Sequence, residues 1–223
     1  MEMRQMRNIP ALTEAECEML RGKTVAVIGC GGLGGYLIEQ LARLGVGNIR
    51  CIDGDVFDES NLNRQLLCTL SEIGTSKAQA AADRVRQIDP KIQVQAYPVF
   101  LEEENARRLI AGCDAVLDGL DTIPARKILA EACAQEKIPC VYGAVSGWIA
   151  QAAISMPGDG LLEKLYPENA NIQDKSVLSF TPALCAAMQA ALCVKLLTGR
   201  PVQTGVLHYV DLLCEEYAPM TIR

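Results

Sequence analysis

Apolar positions follow two periods along this chain, and the places where the period changes mark its elements. The β-branched run Lys23-Thr-Val-Ala-Val-Ile28 predicts a strand over 23–29. Leu37, Leu41 and Leu44 then recur at helical spacing and predict a helix over 33–44, stopped by Gly45-Val-Gly47. Asn48-Ile-Arg-Cys-Ile52 predicts a second strand over 48–53. The same reading places a helix over 75–87, a strand over 92–97, a short amphipathic helix over 102–110, a strand over 115–118 and a helix over 123–136. Strands are expected at 139–145 and 148–155. Upstream, Thr13-Glu-Ala-Glu16 has the form of a capping box and opens a helix that runs to Arg21. Downstream, Thr181-Pro182 is expected to cap a long apolar helix, Ala183 to Leu197, ended by Gly199-Arg-Pro201, and Leu207 to Leu213 reads as a late strand. Strands alternating with helices predict an α/β protein: a doubly wound sheet, mainly parallel, with an antiparallel C-terminal extension.

Composition narrows the classes. The formal net charge of −6, with no basic stripe, argues against nucleic acid as a partner. The first seven residues are polar and no apolar run is expected to reach membrane-spanning length, so a cytoplasmic protein away from membranes is expected. Ten cysteines stand at 17, 30, 51, 68, 113, 133, 140, 185, 193 and 214, none paired as C-x-x-C. Most fall in apolar periodic segments and read as small buried hydrophobes in a reducing compartment. The one histidine, His208, reads as a structural or surface residue.

The chemistry is concentrated between residues 23 and 77. Gly29-Cys30-Gly31-Gly32-Leu33-Gly34 sits between a predicted strand and a predicted helix, where glycines permit a tight turn and backbone N–H groups can approach a phosphate. Asp53 ends the second strand, where an acid can accept hydrogen bonds from ribose hydroxyls. Arg64 and Lys77 follow in a long connection and the helix after it. Fixed cations there would offset triphosphate charge, Arg64 with a planar fork and Lys77 as a point charge. Lys77 lies in the first turn of its helix, where a cation opposes the helix dipole unless an anion sits nearby. Farther on, Asp121 follows the strand over 115–118 at the sheet edge where open α/β sheets bind ligands, with Asp118 as a second choice and a helix N-cap as the bland alternative for Asp121.

Taken together, Gly29-x-Gly-Gly-Leu-Gly34, Asp53-x-Asp55, Ser60-Asn-Leu-x-Arg-Gln65 and Gly74-x-Ser-Lys77 resemble the MoeB/ThiF/HesA family, bacterial relatives of ubiquitin-activating enzymes. The resemblance spans roughly Arg7 to Leu213 and implies a Rossmann-like fold. It implies three stretches: an N-terminal arm and helix over 1–22, a nucleotide-binding core over 23–155, and a crossover loop, long helix and C-terminal strands over 156–223. It implies an ATP-dependent adenylyltransferase with Mg²⁺ that activates the C-terminal Gly-Gly carboxylate of a ubiquitin-like sulfur carrier. The implied nucleotide site comprises Gly29, Gly31, Gly32, Gly34, Asp53, Asp55, Ser60, Asn61, Arg64, Lys77, Asp121 and Thr122, with Asp121 also on the metal. It further implies a homodimer in which an N-terminal arginine reaches the partner's ATP; Arg4 and Arg7 compete for that role, and Arg7 is preferred.

The chain departs from the family in three places. Thr122 stands where Asn is usual. Gly158-Asp-Gly160 stands where the first of two zinc-binding C-x-x-C pairs would be, so no structural zinc is expected. No cysteine lies between Met156 and Phe180, with Cys140 and Cys185 the flanking ones, so adenylation without a covalent link to the carrier is expected. Three other readings compete: adenylation of a small or tRNA-linked carboxylate, an NAD-dependent oxidoreductase resting on the glycine turn alone, and a nucleotide-binding scaffold without activity.

Overall fold

A computed structural model describes residues 3–167 and 176–222. Its frame is one eight-stranded sheet in the order β3-β2-β1-β4-β5-β6-β7-β8. In chain order the elements are α1 (Glu14–Arg21), β1 (Thr24–Ile28), α2 (Gly32–Leu44), β2 (Asn48–Ile52), α3 (Lys77–Ile88), β3 (Gln93–Tyr97), α4 (Glu103–Ile110), β4 (Ala115–Asp118), α5 (Ile123–Glu136), β5 (Cys140–Ser146), β6 (Ile149–Ser155), α6 (Leu161–Leu165), α7 (Phe180–Thr198), β7 (Val206–Asp211) and β8 (Glu216–Thr221). The first five strands pair in parallel and the last three antiparallel.

Strand periodicity explains the layers. Val25 and Val27 point to one face, with Ile49, Cys51, Ala115 and Leu117, and pack under α1, α2, α3 and α7. Ala26 and Ile28 point to the other, with Ile52 and Val116, and pack under α4 and α5. The central strands bury both faces, so they read as continuous apolar runs rather than alternating ones. The capping box at Thr13 forms as its spacing predicts, with Glu16 N–H on the Thr13 hydroxyl and the Glu16 carboxylate back on Thr13.

Three expectations need correction. α7 begins at Phe180, ahead of Ala183, and takes Thr181 and Pro182 into its first turn. Proline is tolerated there because its missing N–H has no helical acceptor, and the Thr181 hydroxyl donates to Gly147 instead of capping the helix. α7 is also long and apolar enough, by length and composition, to cross a membrane, contrary to the expectation from the sequence. Here it packs against α2, β5 and β6. Finally, β8 was not separately foreseen: all six of its residues are exposed, and Pro219 marks it as an edge strand.

Candidate active site

The chain runs outward from β1 to β2 to β3, then returns to place β4 on the other side of β1. Ligands bind in open α/β sheets at such a reversal, beyond the carboxyl ends of the strands. A cleft of about 590 Å³ lies there.

Its floor is the glycine turn. Gly29 has φ +88°, and a Cβ on it would lie 2.6 Å from the Gly119 carbonyl oxygen. A Cβ on Gly34 would lie 1.7 Å from the Gly29 carbonyl oxygen. So the turn after β1 closes against both α2 and the loop after β4 only without side chains at these positions. No side chain caps α2, whose N-cap is Gly31. The first N–H groups of this helix therefore face the cleft as anion donors.

Asp53 stands beside the turn. Its carboxylate accepts from Cys30 N–H at 2.7 Å and from Asp55 N–H at 2.8 Å. Burial raises its pKa, while those two N–H groups and the nearby Lys77 charge oppose the rise. Lys77 opens α3 with its side chain buried and its Nζ 3.2 Å from Asp55 Oδ2. That carboxylate supplies a nearby anion opposing the unfavourable helix dipole at this position. Arg64 also reaches the cleft, its guanidinium tied to the Ser60 carbonyl at 3.0 Å and the Asn63 side chain at 2.9 Å.

At the opposite rim are Asp121 and Thr122. Asp121 is exposed and makes no hydrogen bond or ion pair with the described residues. The N-cap of α5 is Thr122, so the bland role considered for Asp121 does not apply. Asp118 is fully buried and paired with Arg126 across 3.6 Å. Burial pushes its carboxyl up, and Arg126 and the Leu120 N–H hold against that.

The cleft thus gathers Gly29, Gly31, Gly32, Asp53, Asp55, Arg64, Lys77, Asp121 and Thr122. Gly34, Ser60, Asn61 and Arg7 do not line it. Gly34 acts through packing. Asn61 is buried and closes the short turn after β2 by accepting from Asp58 N–H at 3.1 Å, while Ser60 N–H donates to Asp58. Arg7 is exposed and makes no hydrogen bond or ion pair with the described residues, whereas Arg4 pairs with Asp89 at 2.5 Å.

Sequence reasoning missed several lining residues. Val99, Phe100 and Leu101 form an apolar shelf after β3, with Phe100 lying where a Cβ on Gly54 would come within 2.6 Å of its ring. The rule that singled out Asp121, the end of a parallel strand, applies equally to them. Gln65 is buried against Gly31, and its Oε1 has no partner. Arg126 is a charged residue on the inward phase of α5, which only a helical-wheel reading would have flagged. Among the described residues no three His, Cys, Asp or Glu side chains cluster as a metal site. A lone exposed carboxylate such as Asp121 suits Mg²⁺, which keeps waters and phosphate oxygens as most of its ligands.

A profile described as the ThiF family matches residues 3–223. The chain is 35% identical over 198 residues to the SAMP-activating enzyme E1 of Haloferax volcanii, covering 85% of this chain and 73% of that protein. It is 31% identical over 220 residues to the sulfur carrier protein adenylyltransferase of Thermus thermophilus, covering 92% of this chain and 81% of that one. Some curated relatives run longer, and the chain spans 58% of their length. Among solved structures, Escherichia coli MccB with ATP superimposes with a TM-score of 0.84, covering 100% of this chain and 72% of that one. At 18% identity that match speaks to the fold alone.

Proposed function

The chain belongs to the ThiF family, and from that premise we propose that it is an ATP-dependent adenylyltransferase acting on the C-terminal glycine carboxylate of a ubiquitin-like sulfur carrier. The observation that carries this reading is the pairing, in one cleft, of an uncapped α2 N-terminus and glycine turn with two cations, Arg64 and Lys77. A dinucleotide-dependent oxidoreductase has no evident need for that pair. Relatives named for carrier activation supply the substrate class.

In the reaction, a carboxylate oxygen attacks the α-phosphorus of ATP, the bond to the β-phosphate oxygen breaks, and pyrophosphate leaves with that electron pair. The products are an acyl-adenylate and pyrophosphate. No general base is required, because the attacking carboxylate is already ionised. Gly31, Gly32 and the α2 N–H groups admit the phosphates. Arg64 and Lys77 offset the charge that builds on the pyrophosphate oxygens. Asp53 keeps free lone pairs beside its two backbone bonds and can accept from a ribose hydroxyl. The apolar shelf of Val99, Phe100 and Leu101 suits a base. Mg²⁺, held by Asp121 and the phosphates, would supply charge neutralisation. Cys185 is buried with its thiol pushed up to about 12, which disfavours it as a nucleophile, and we therefore take the chemistry to end at the adenylate. Arg7, without a partner among the described residues, is the arginine offered to a second copy in a homodimer, and a cytoplasmic setting suits this chemistry.

ATP–pyrophosphate exchange tests the reading. Exchange that depends on a carrier ending in Gly-Gly is expected. ATP binding without exchange for any such carrier would refute it and favour a small-molecule carboxylate.

A further inference from the structure

Asp121, proposed above to face the nucleotide's metal, has no side-chain partner to aim it among the described residues. Its direction is set by the peptide before it. Leu120 is gripped at both ends by one buried pair: its N–H donates to Asp118 Oδ1 at 2.9 Å, and its carbonyl accepts from Arg126 at 2.5 Å. Arg126 is 4% exposed. The same guanidinium donates to the Gly143 carbonyl in β5 at 2.9 Å and to the Tyr166 hydroxyl at 2.8 Å. Tyr166 directly follows α6 and shares a 2.6 Å hydroxyl contact with buried Tyr142. Arg126 lies 5.1 Å from the ring centre of Tyr142 and 5.8 Å from that of Tyr166. One side chain therefore bonds to the loop after β4, to the middle of β5 and to the residue that leaves α6.

A buried ion pair adds little to stability, because desolvating two charges offsets most of their attraction. An apolar core would serve packing as well. A fork that joins two backbone carbonyls and a tyrosine hydroxyl from three separate places serves geometry instead, and lysine cannot reproduce it.

We propose that Arg126 is a positioning residue for Asp121, acting through the Leu120 peptide, and that Tyr166 ties this brace to the end of α6. The proposal rests on the adenylation reading. Were it purely structural, Arg126 would affect folding and be indifferent to Asp121.

The test is a double-mutant cycle with wild type, Arg126→Lys, Asp121→Asn and the double variant. It uses pyrophosphate exchange with a Gly-Gly carrier, and calorimetric affinity for ATP with Mg²⁺. Arg126→Lys is expected to lower kcat/KM about 10²-fold when Asp121 is present, since misplacement by about 1 Å costs that much. In the Asp121→Asn background the loss should shrink to under about threefold. ATP affinity should follow the same pattern. Equal losses in both backgrounds overturn the proposal. Should Arg126→Lys fail to fold, Tyr166→Phe keeps the arginine and removes one bond, with an expected loss of about fivefold that likewise requires Asp121. Absence of exchange in the wild type would refute adenylation rather than the brace, which the calorimetric cycle then decides by coupling or additivity.

Discussion

The two rims of the cleft are built on different principles. On the β1–β2 side, Asp53 is held by backbone N–H groups, that of Asp55 two residues on and that of Cys30 in the turn after the paired strand β1. The glycine turn beside it is closed sterically, Gly34 against the Gly29 carbonyl and Gly29 against Gly119 in the loop after β4. On the β4 side, Asp121 has no such bonds among the described residues. Its loop is held by Arg126, whose other partners lie 17 and 40 residues farther along the chain. A rim held by backbone N–H groups and glycine contacts depends on the geometry of the turn itself. A rim held by a distant side chain can be altered without unfolding the sheet, and it can register what happens elsewhere.

Within the β1–β2 rim, a residue that faces the ligand and one that only packs should fail in opposite ways. Arg64→Ala should have the largest effect on chemistry, lowering exchange by about 10³-fold, as expected for loss of a charge that acts on the transition state. Its effect on unfolding free energy should stay within about 0.5 kcal/mol, because its protein bonds are to its own turn and partly exposed. Exchange assays with urea melts check both numbers. Gly34→Ala should do the reverse, destabilising the fold by about 3 kcal/mol because its Cβ overlaps the Gly29 carbonyl. A melt unchanged by that substitution would mean that the turn is not fixed by contact.

Asp53→Asn should weaken ATP binding by about tenfold, measured calorimetrically. It should also cost the fold about 1 kcal/mol at neutral pH, because Oδ1 and Oδ2 each accept a backbone N–H and the amide keeps only one acceptor. Burial raises the Asp53 pKa, so ionising it costs stability as pH rises through that raised value. For the same reason ATP affinity should begin to fall on acidification at a higher pH than an ordinary aspartate would give.

Glu16 behaves oppositely. Hydrogen bonds from Arg200 and from Thr13 N–H hold its pKa at about 2, below its ordinary value of 4.5. The stability it lends is full above 4.5 and is lost as pH falls from there toward 2. Thermal melts of Glu16→Gln and wild type should converge across that window and separate above it. The smallest effect is at Cys214, the only exposed cysteine of the ten. An aromatic disulfide reagent should label one thiol in the folded protein, and Cys214→Ser should abolish that labelling while leaving exchange unchanged.

The β1–β2 rim was legible in the sequence because its causes are local. A strand, a glycine turn, a helix and an acid lie within Lys23 to Asp53, and their spacing encodes the bonds they make. Lys77 was legible too, although Asp55 turned out to be the anion beside it. The other rim was only half legible. Asp121 could be placed from the end of β4, but its brace depends on Tyr166 and Gly143, which no periodicity links to Arg126. Ser60 and Asn61 were assigned to the nucleotide from the motif, yet they lie outside the cleft lining and shape the turn beneath it. β8 escaped notice because an exposed edge strand carries no apolar alternation to detect.

α7 has a consequence for the order of events during synthesis. Every residue of the cleft up to Gln151 has left the ribosome before α7 exists, yet α7 supplies the lid over β5 and β6 and sends the Gln189 amide to the carbonyls of Asp118 and Val141. Arg200, just past its end, reaches back to Glu16 across 184 residues. The nascent nucleotide half must wait, with β5 and β6 uncovered on the face that α7 will occupy, for about the last fifth of the chain to close it. Stalled chains ending before Phe180 should remain sensitive to brief proteolysis, and chains extended past Arg200 should become resistant.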